Sequence, residues 1–232
     1  MIGYWATTAT GMTALMLLTI TYGYEQSFLM VNGTGFTLGD RIFPHLTHLG
    51  DGVILASLLT LILWRRHPEA AAAALTAIAV SALIVNVLKF WVFEEWRRPM
   101  GTFDPATVRM LGRAPEYYFS FPSGHSATAG AGFFFIAHVF PRYGMVWGTV
   151  AFLTAFSRIY VGSHFPADVS AGFLIGCACA LAAEKLLAAR FKQFFSRLDA
   201  PARLRWRAAV YLIGSFALAV GLSNRYFGGW VG

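Results

Sequence analysis

Long uncharged apolar stretches recur along this chain, and they constrain its fold more than any other feature. No acidic, basic or histidine side chain occurs before Glu25, and residues 70–88 form another uncharged run rich in alanine. Runs of about 20 apolar residues match the thickness of a bilayer's hydrocarbon core, where a helix satisfies its own backbone polar groups. Of 232 residues, 57% are hydrophobic and only 12% charged, too little polar surface for a water-soluble domain of this size. The expected fold is all-α: a polytopic transmembrane helical bundle forming one membrane-embedded domain over residues 1–232.

Six core spans are expected, at about 3–24, 45–64, 70–88, 122–140, 143–161 and 166–184, with a shorter extra span at 208–224. Residues 25–43 carry Asn32-Gly33, Gly35 and Gly39-Asp40 ahead of Pro44, a loop signature. The polar segment 94–121, with Pro99, Pro105 and Pro115, holds no span. The N-terminus lacks a basic flank and a small-residue cleavage site, so it reads as an uncleaved first helix. Cys177 and Cys179 lie two apart in an apolar helix, about 200° apart around its axis, and cannot bridge.

The net charge is +7, but the basic residues do not gather into a stripe suited to nucleic acid. With the N-terminus inside, inner loops hold Arg65, Arg66, Arg142 and the basic run from Lys185 to Arg207. Arg41, Arg97, Arg98, Arg109, Arg113, Arg158 and Arg225 fall outside, several of them within polar clusters that have another use. Discounting those leaves a positive-inside bias.

Three polar clusters then share the outer face: Lys89–Pro99, Ser120–Ser126 and Ser157–Asp168. Ionisable groups at membrane depth are expensive and mark function. A helix beginning near Pro166 lets Asp168 reach back one turn to hold one ring nitrogen of His164, leaving the other free to attack or to accept a proton. Lys89, Arg97 or Arg98, and Arg158, with the backbone N–H groups of a Ser-Gly turn that opens a helix, make an anion site suited to phosphate. Within that cradle two histidines can divide the work, one attacking phosphorus and the other protonating the departing oxygen. No cluster has metal-ligand spacing, so neither metal nor other cofactor is expected.

These segments resemble the signature of the type 2 phosphatidic acid phosphatase (PAP2) superfamily, which includes lipid phosphate phosphatases and vanadium haloperoxidases. The PSGH motif stands as Pro122-Ser123-Gly124-His125, and SRxxxGxHxxxD is matched by Ser157, Arg158, Gly162, His164 and Asp168. The resemblance covers roughly residues 89–168. It implies His164 as nucleophile, Asp168 as its orienter and His125 as acid on the leaving group. It also implies phosphate binding by Ser123, Gly124 and Arg158, in a six-helix bundle with its site on the outer face. The first motif departs from the pattern. Where the family has a lysine, six residues and Arg-Pro, Lys89 is separated from Arg98-Pro99 by eight. Two added helical residues rotate the chain by about 200°, so Lys89 and Arg98 keep their roles only if the chain bends or bulges; Arg97 could stand in for either.

Other polar residues carry less. His45, His48 and Asp51 have helical spacing but read as structural or as part of a substrate entry, and His138 reads as a helix-end residue. Glu94 and Glu95 could balance Arg97 or Arg98. Tyr117, Tyr118, Phe119 and Phe121 read as an interfacial aromatic belt. The leading expectation is metal-independent hydrolysis of a phosphomonoester or diphosphate on a lipid, at the outer leaflet of a bacterial inner membrane. Its partners would be that substrate and the surrounding lipids, with no obligate protein partner. A phosphotransferase passing the group to a lipid or sugar acceptor shares the same residues, and a non-enzymatic transporter is the remaining alternative.

Overall fold

The computed structural model describes residues 1–112 and 114–226. Arg113 and the side chains of Arg203, Arg207 and Arg225, which enter the charge balance above, lie outside the described residues. All regular structure among those described is helical: α1 Ile2–Tyr22, α2 Tyr24–Asn32, α3 Thr37–Leu46, α4 Gly52–Leu63, α5 Pro68–Trp91, α6 Pro99–Thr102, α7 Gly124–Val139, α8 Gly144–Tyr160, α9 Pro166–Arg197 and α10 Ala200–Tyr226. Short 3₁₀ turns stand at Thr47–Gly50 and Pro141–Tyr143.

Local chemistry explains where the main helices start. Pro68 opens α5 and Pro166 opens α9, each in the first turn where a missing N–H costs nothing. Asp51 caps α4, its Oδ1 accepting from the Val53 and Ile54 amides at 2.9 and 3.2 Å. Ser123 caps α7 by accepting from the Ser126 amide.

Helix α7 is the centre of the bundle. Every residue from Ser126 to Ala137 is buried, and the helix packs against α5, α8 and α9. Its crossing with α9 is made backbone to backbone. A Cβ at Gly176 would stand 2.0 Å from the Ala127 carbonyl oxygen, and one at Gly172 would stand 2.2 Å from that of Ser123. Small residues four apart permit this approach. Around that centre, α1 lies on α8, and α10 packs on α4. Large apolar side chains such as Leu83 and Val87 on α5 and Leu212 and Phe216 on α10 are exposed, so the bundle is apolar outside as well as within.

Among the described residues, three helices are long and apolar enough to cross a membrane: Pro68–Trp91, Pro166–Arg197 and Ala200–Ser223. A fourth is added if Thr37–Gly50 and Gly52–Leu63, bent by 75° between them, make one broken span. Helices α7 and α8, with 16 and 17 residues, rise about 24–26 Å.

Three sequence expectations differ from what is observed. Residues 25–43 fold mostly into α2 and α3, because their glycines and Asn32 sit largely at helix ends and Pro44 is tolerated near the end of α3. Helix α9 continues past residue 184 to Arg197, since charge ends an apolar run but does not end a helix built of Ala, Leu, Lys and Arg. The extra span at 208–224 belongs to a helix that begins at Ala200.

Candidate active site

The fold brings the three polar clusters to one end of the bundle. Lys89 occupies the last turn of α5 and is buried; Arg98 precedes α6; Ser123, Gly124 and His125 open α7; Arg158 ends α8; Asp168 sits in the first turn of α9. His164 lies in the tight connection between α8 and α9, where Gly162 takes a positive φ of 84° that a side chain would strain. The Ser163 and His164 amides both donate to the Arg158 carbonyl, at 2.9 and 3.1 Å, so the arginine and the histidine are fixed by one turn. The PSGH turn is docked directly on α9: the Ser123 amide donates to the Asp168 carbonyl at 3.0 Å.

Asp168 has two duties. At the third position of α9 its Oδ2 accepts from the Phe165 amide at 3.1 Å, the return half of a capping box. The same oxygen faces His164 Nδ1 at 3.3 Å and accepts from the Ser120 hydroxyl at 2.6 Å. Oδ1 accepts from the Tyr24 hydroxyl at 2.5 Å. The ordinary helix-cap role and the His164 partner role therefore coexist in one side chain.

Its neighbours fix the tautomer of His164. A carboxylate can only accept, so Nδ1 carries the proton; on the other side Arg98 Nη1, which can only donate, lies 3.4 Å from Nε2. Nε2 is left with its lone pair facing the Arg98 guanidinium. His164 is buried, and its pKa lies well below the ordinary histidine range. Burial is the first cause, followed by the positive charges of Arg98, Lys89 and Arg158 and by His125. The imidazole is consequently neutral at physiological pH, the form that can act as a nucleophile.

The cations are themselves tethered. Arg98 Nε donates to the Tyr118 carbonyl at 2.9 Å, and its guanidinium pairs with Glu116 rather than with Glu94 or Glu95. Arg158 is almost wholly buried and donates from Nη1 to the Thr47 hydroxyl at 2.7 Å. Arg97 is exposed and reaches only the Gly101 carbonyl, at 3.4 Å, so Lys89 and Arg98 are the first-motif cations that join the cluster. The eight-residue spacing is absorbed outside the helix. α5 stops at Trp91, and Trp96 and Arg98 pair with the segment beyond Glu116 through Ser120 N–H to Trp96 O at 3.0 Å and Arg98 N–H to Tyr117 O at 2.8 Å. That break supplies the bend the spacing requires.

Tyr24, Ser120 and Thr47 touch the site without having been singled out for a role in the sequence. Ser120 carried a signal only as the first residue of the Ser120–Ser126 cluster. Tyr24 and Thr47 carried none, because uncharged hydroxyls at span ends are ordinary. Asp51 is accounted for by its cap, His138 ends α7 and lies 4.0 Å from Glu184, and no cluster among the described residues has metal-binding geometry. Cys177 and Cys179 are both free and buried.

Arranged this way, the residues offer a neutral imidazole backed by a carboxylate, Arg98 at its free nitrogen with the charges of Lys89 and Arg158 acting on the ring, and the first-turn amides of α7, which have no intrahelical acceptor. Known proteins are similar to this chain. Over 106 residues the chain is 47% identical to a lipid A 1-phosphatase of Rhizobium johnstonii, covering 43% of this chain and 40% of that one. Over 152 residues it is 31% identical to phosphatidylglycerophosphatase B of Bacillus subtilis, covering 59% of this chain and 70% of the relative. The chain spans less than half the length of the lipid A 1-phosphatases it matches. The crystal structure of Aquifex aeolicus LpxE is similar with a TM-score of 0.63 and 31% identity, over 70% of this chain and 94% of that one. The family model described as the PAP2 superfamily matches residues 70–192, a stretch holding every one of the motif residues, and the chain belongs to that superfamily.

Proposed function

We propose that this protein is an integral membrane phosphatase that removes phosphate from a phosphomonoester or diphosphate on a lipid headgroup, through a phosphohistidine on His164. The whole chain serves as one domain, with six core spans and the site at the outer face of a bacterial inner membrane. The apolar exterior and the names of the relatives support a lipid substrate.

The chemistry follows from the geometry. Lys89, Arg98, Arg158, Ser123 and the Gly124 and His125 amides hold the phosphoryl oxygens and neutralise charge that grows on them in the transition state. His164 Nε2 attacks phosphorus, and the bond to the lipid oxygen breaks as His125 gives that oxygen a proton. Asp168 keeps the Nδ1 proton in place while the ring becomes cationic. Water then attacks the phosphohistidine, yielding its proton to His125, and releases inorganic phosphate and the free imidazole. Each step uses a side chain of this protein, and none requires a metal.

The carrying observation is the placement of His164 between a carboxylate at Nδ1 and a guanidinium at Nε2. Its test is phosphate release by the purified protein from phosphatidylglycerophosphate, lipid A and undecaprenyl diphosphate. His164→Ala should lower the rate by roughly 10³-fold or more on whichever lipid is turned over, since a nucleophile has no substitute. Near-normal release by that variant on every lipid would refute the mechanism. Appearance of a phosphorylated acceptor in place of free phosphate would identify a phosphotransferase.

A further inference from the structure

We propose that Tyr24 and Ser120 are positioning residues of the reaction: their hydroxyls hold the Asp168 carboxylate, and through it they set the angle at which His164 presents Nε2. The inference rests on the reading of His164 as nucleophile, and neither residue belongs to the three motifs.

Asp168 is fully buried, and its two oxygens are divided between opposite walls. Tyr24 from α2 donates to Oδ1 at 2.5 Å; Ser120, from the segment leading into α7, donates to Oδ2 at 2.6 Å. On its own helix the Phe165 amide and His164 share Oδ2, at 3.1 and 3.3 Å, and the Lys89 charge reaches the carboxylate from α5. Without the two hydroxyls, the hydrogen-bonding neighbours described for the carboxylate are residues 164 and 165, which move with it, beside the Lys89 charge. Both hydroxyls come from elsewhere in the fold, so they reference the carboxylate to the rest of the bundle.

Tyr24 is itself held firmly. Its ring stacks on Phe165 with centroids 4.1 Å apart and meets the edge of Trp96 at 5.7 Å. The Trp96 carbonyl accepts the Ser120 amide at 3.0 Å. One aromatic node thus joins α2, the stretch before Arg98, the stretch before the PSGH turn, and the His164 turn. A phenol O–H facing a carboxylate oxygen donates to it, so the direction of this bond is fixed.

Tyr24→Phe tests this on the full-length protein in detergent, with the lipid that supports turnover. The ring stays on Phe165 and only the hydroxyl goes. Expected is a fall in kcat of about 10-fold, the scale seen when a partner of an active group is removed, with KM changed less than about threefold. The acid limb of the kcat–pH profile should move to higher pH, because a carboxylate that loses a donor takes up a proton more readily; a merely structural loss would not move that limb. Ser120→Ala should do the same, and serves as the independent reading if Tyr24→Phe fails to fold. Wild-type kcat and an unmoved acid limb in the folded variants, or a change confined to KM, would overturn the proposal. His164→Ala inactive beside a fully active Tyr24→Phe defeats this inference alone; an active His164→Ala defeats the function reading instead.

Discussion

Two cations of the first motif show how much a single position depends on where the helix stops. Lys89 lies buried in the last turn of α5, with its charge acting on His164, whereas Arg97 points to solvent and a backbone carbonyl. Lys89→Met should lower kcat by about 10²-fold, the effect of deleting one group that stabilises transition-state charge, while Arg97→Met should leave phosphate release unchanged. Equal losses in both, measured side by side, would mean that Arg97 also reaches the phosphate. The sequence left this choice open because the rotation set by eight intervening residues matters only if the helix continues, and it ends at Trp91. His164, Asp168, Arg158 and the PSGH turn were legible because charged and imidazole groups are rare in apolar runs. Tyr24, Ser120 and Thr47 were not, since their worth comes from a carboxylate and a guanidinium more than 40 residues away in the chain.

Between helices, the decisive contact is the crossing of α7 and α9. Gly172 and Gly176 let α9 lie on the carbonyls of Ser123 and Ala127, and this closeness allows the Ser123 amide to bond the Asp168 carbonyl. A methyl group at position 176 has to displace backbone rather than a flexible side chain. Gly176→Ala should therefore destabilise the protein by about 1–3 kcal/mol, as overpacking does, and should lower turnover in step, although residue 176 is far along the helix from the reacting groups. Thermal unfolding and kcat measured on the same preparation check both effects; an unchanged unfolding midpoint would mean that the helices tolerate separation. Hydropathy placed the starts of these two helices well, because each follows a Pro or a polar turn. It missed α2 and α3, whose apolar faces are too short to register as spans. It also cut α9 short, because a window of hydropathy measures affinity for lipid and is blind to helix length.

Across the whole molecule, the site collects at one end while the basic stretch beyond residue 184 leaves at the end of α9. In the topology proposed above, which the positive-inside bias supports, the site end is external. With Cys177 and Cys179 replaced by Ala, a cysteine introduced at exposed Glu95 should react with a membrane-impermeant maleimide on intact spheroplasts, and one at exposed Ser196 should react only after lysis. The reverse pattern would invert the topology. The all-helical class was readable from apolar run lengths, but the packing order of the helices was not, because equal apolar stretches carry no record of which neighbour each one meets. One feature of the site reaches furthest at this scale. Tyr24 and Thr47, which grip Asp168 and Arg158, both lie upstream of residue 70, where the family match begins. A chimera that borrowed its first 69 residues from a relative would exchange the residues that hold Asp168 and Arg158 along with α1, so the borrowed half would reset the posture of side chains it does not contain.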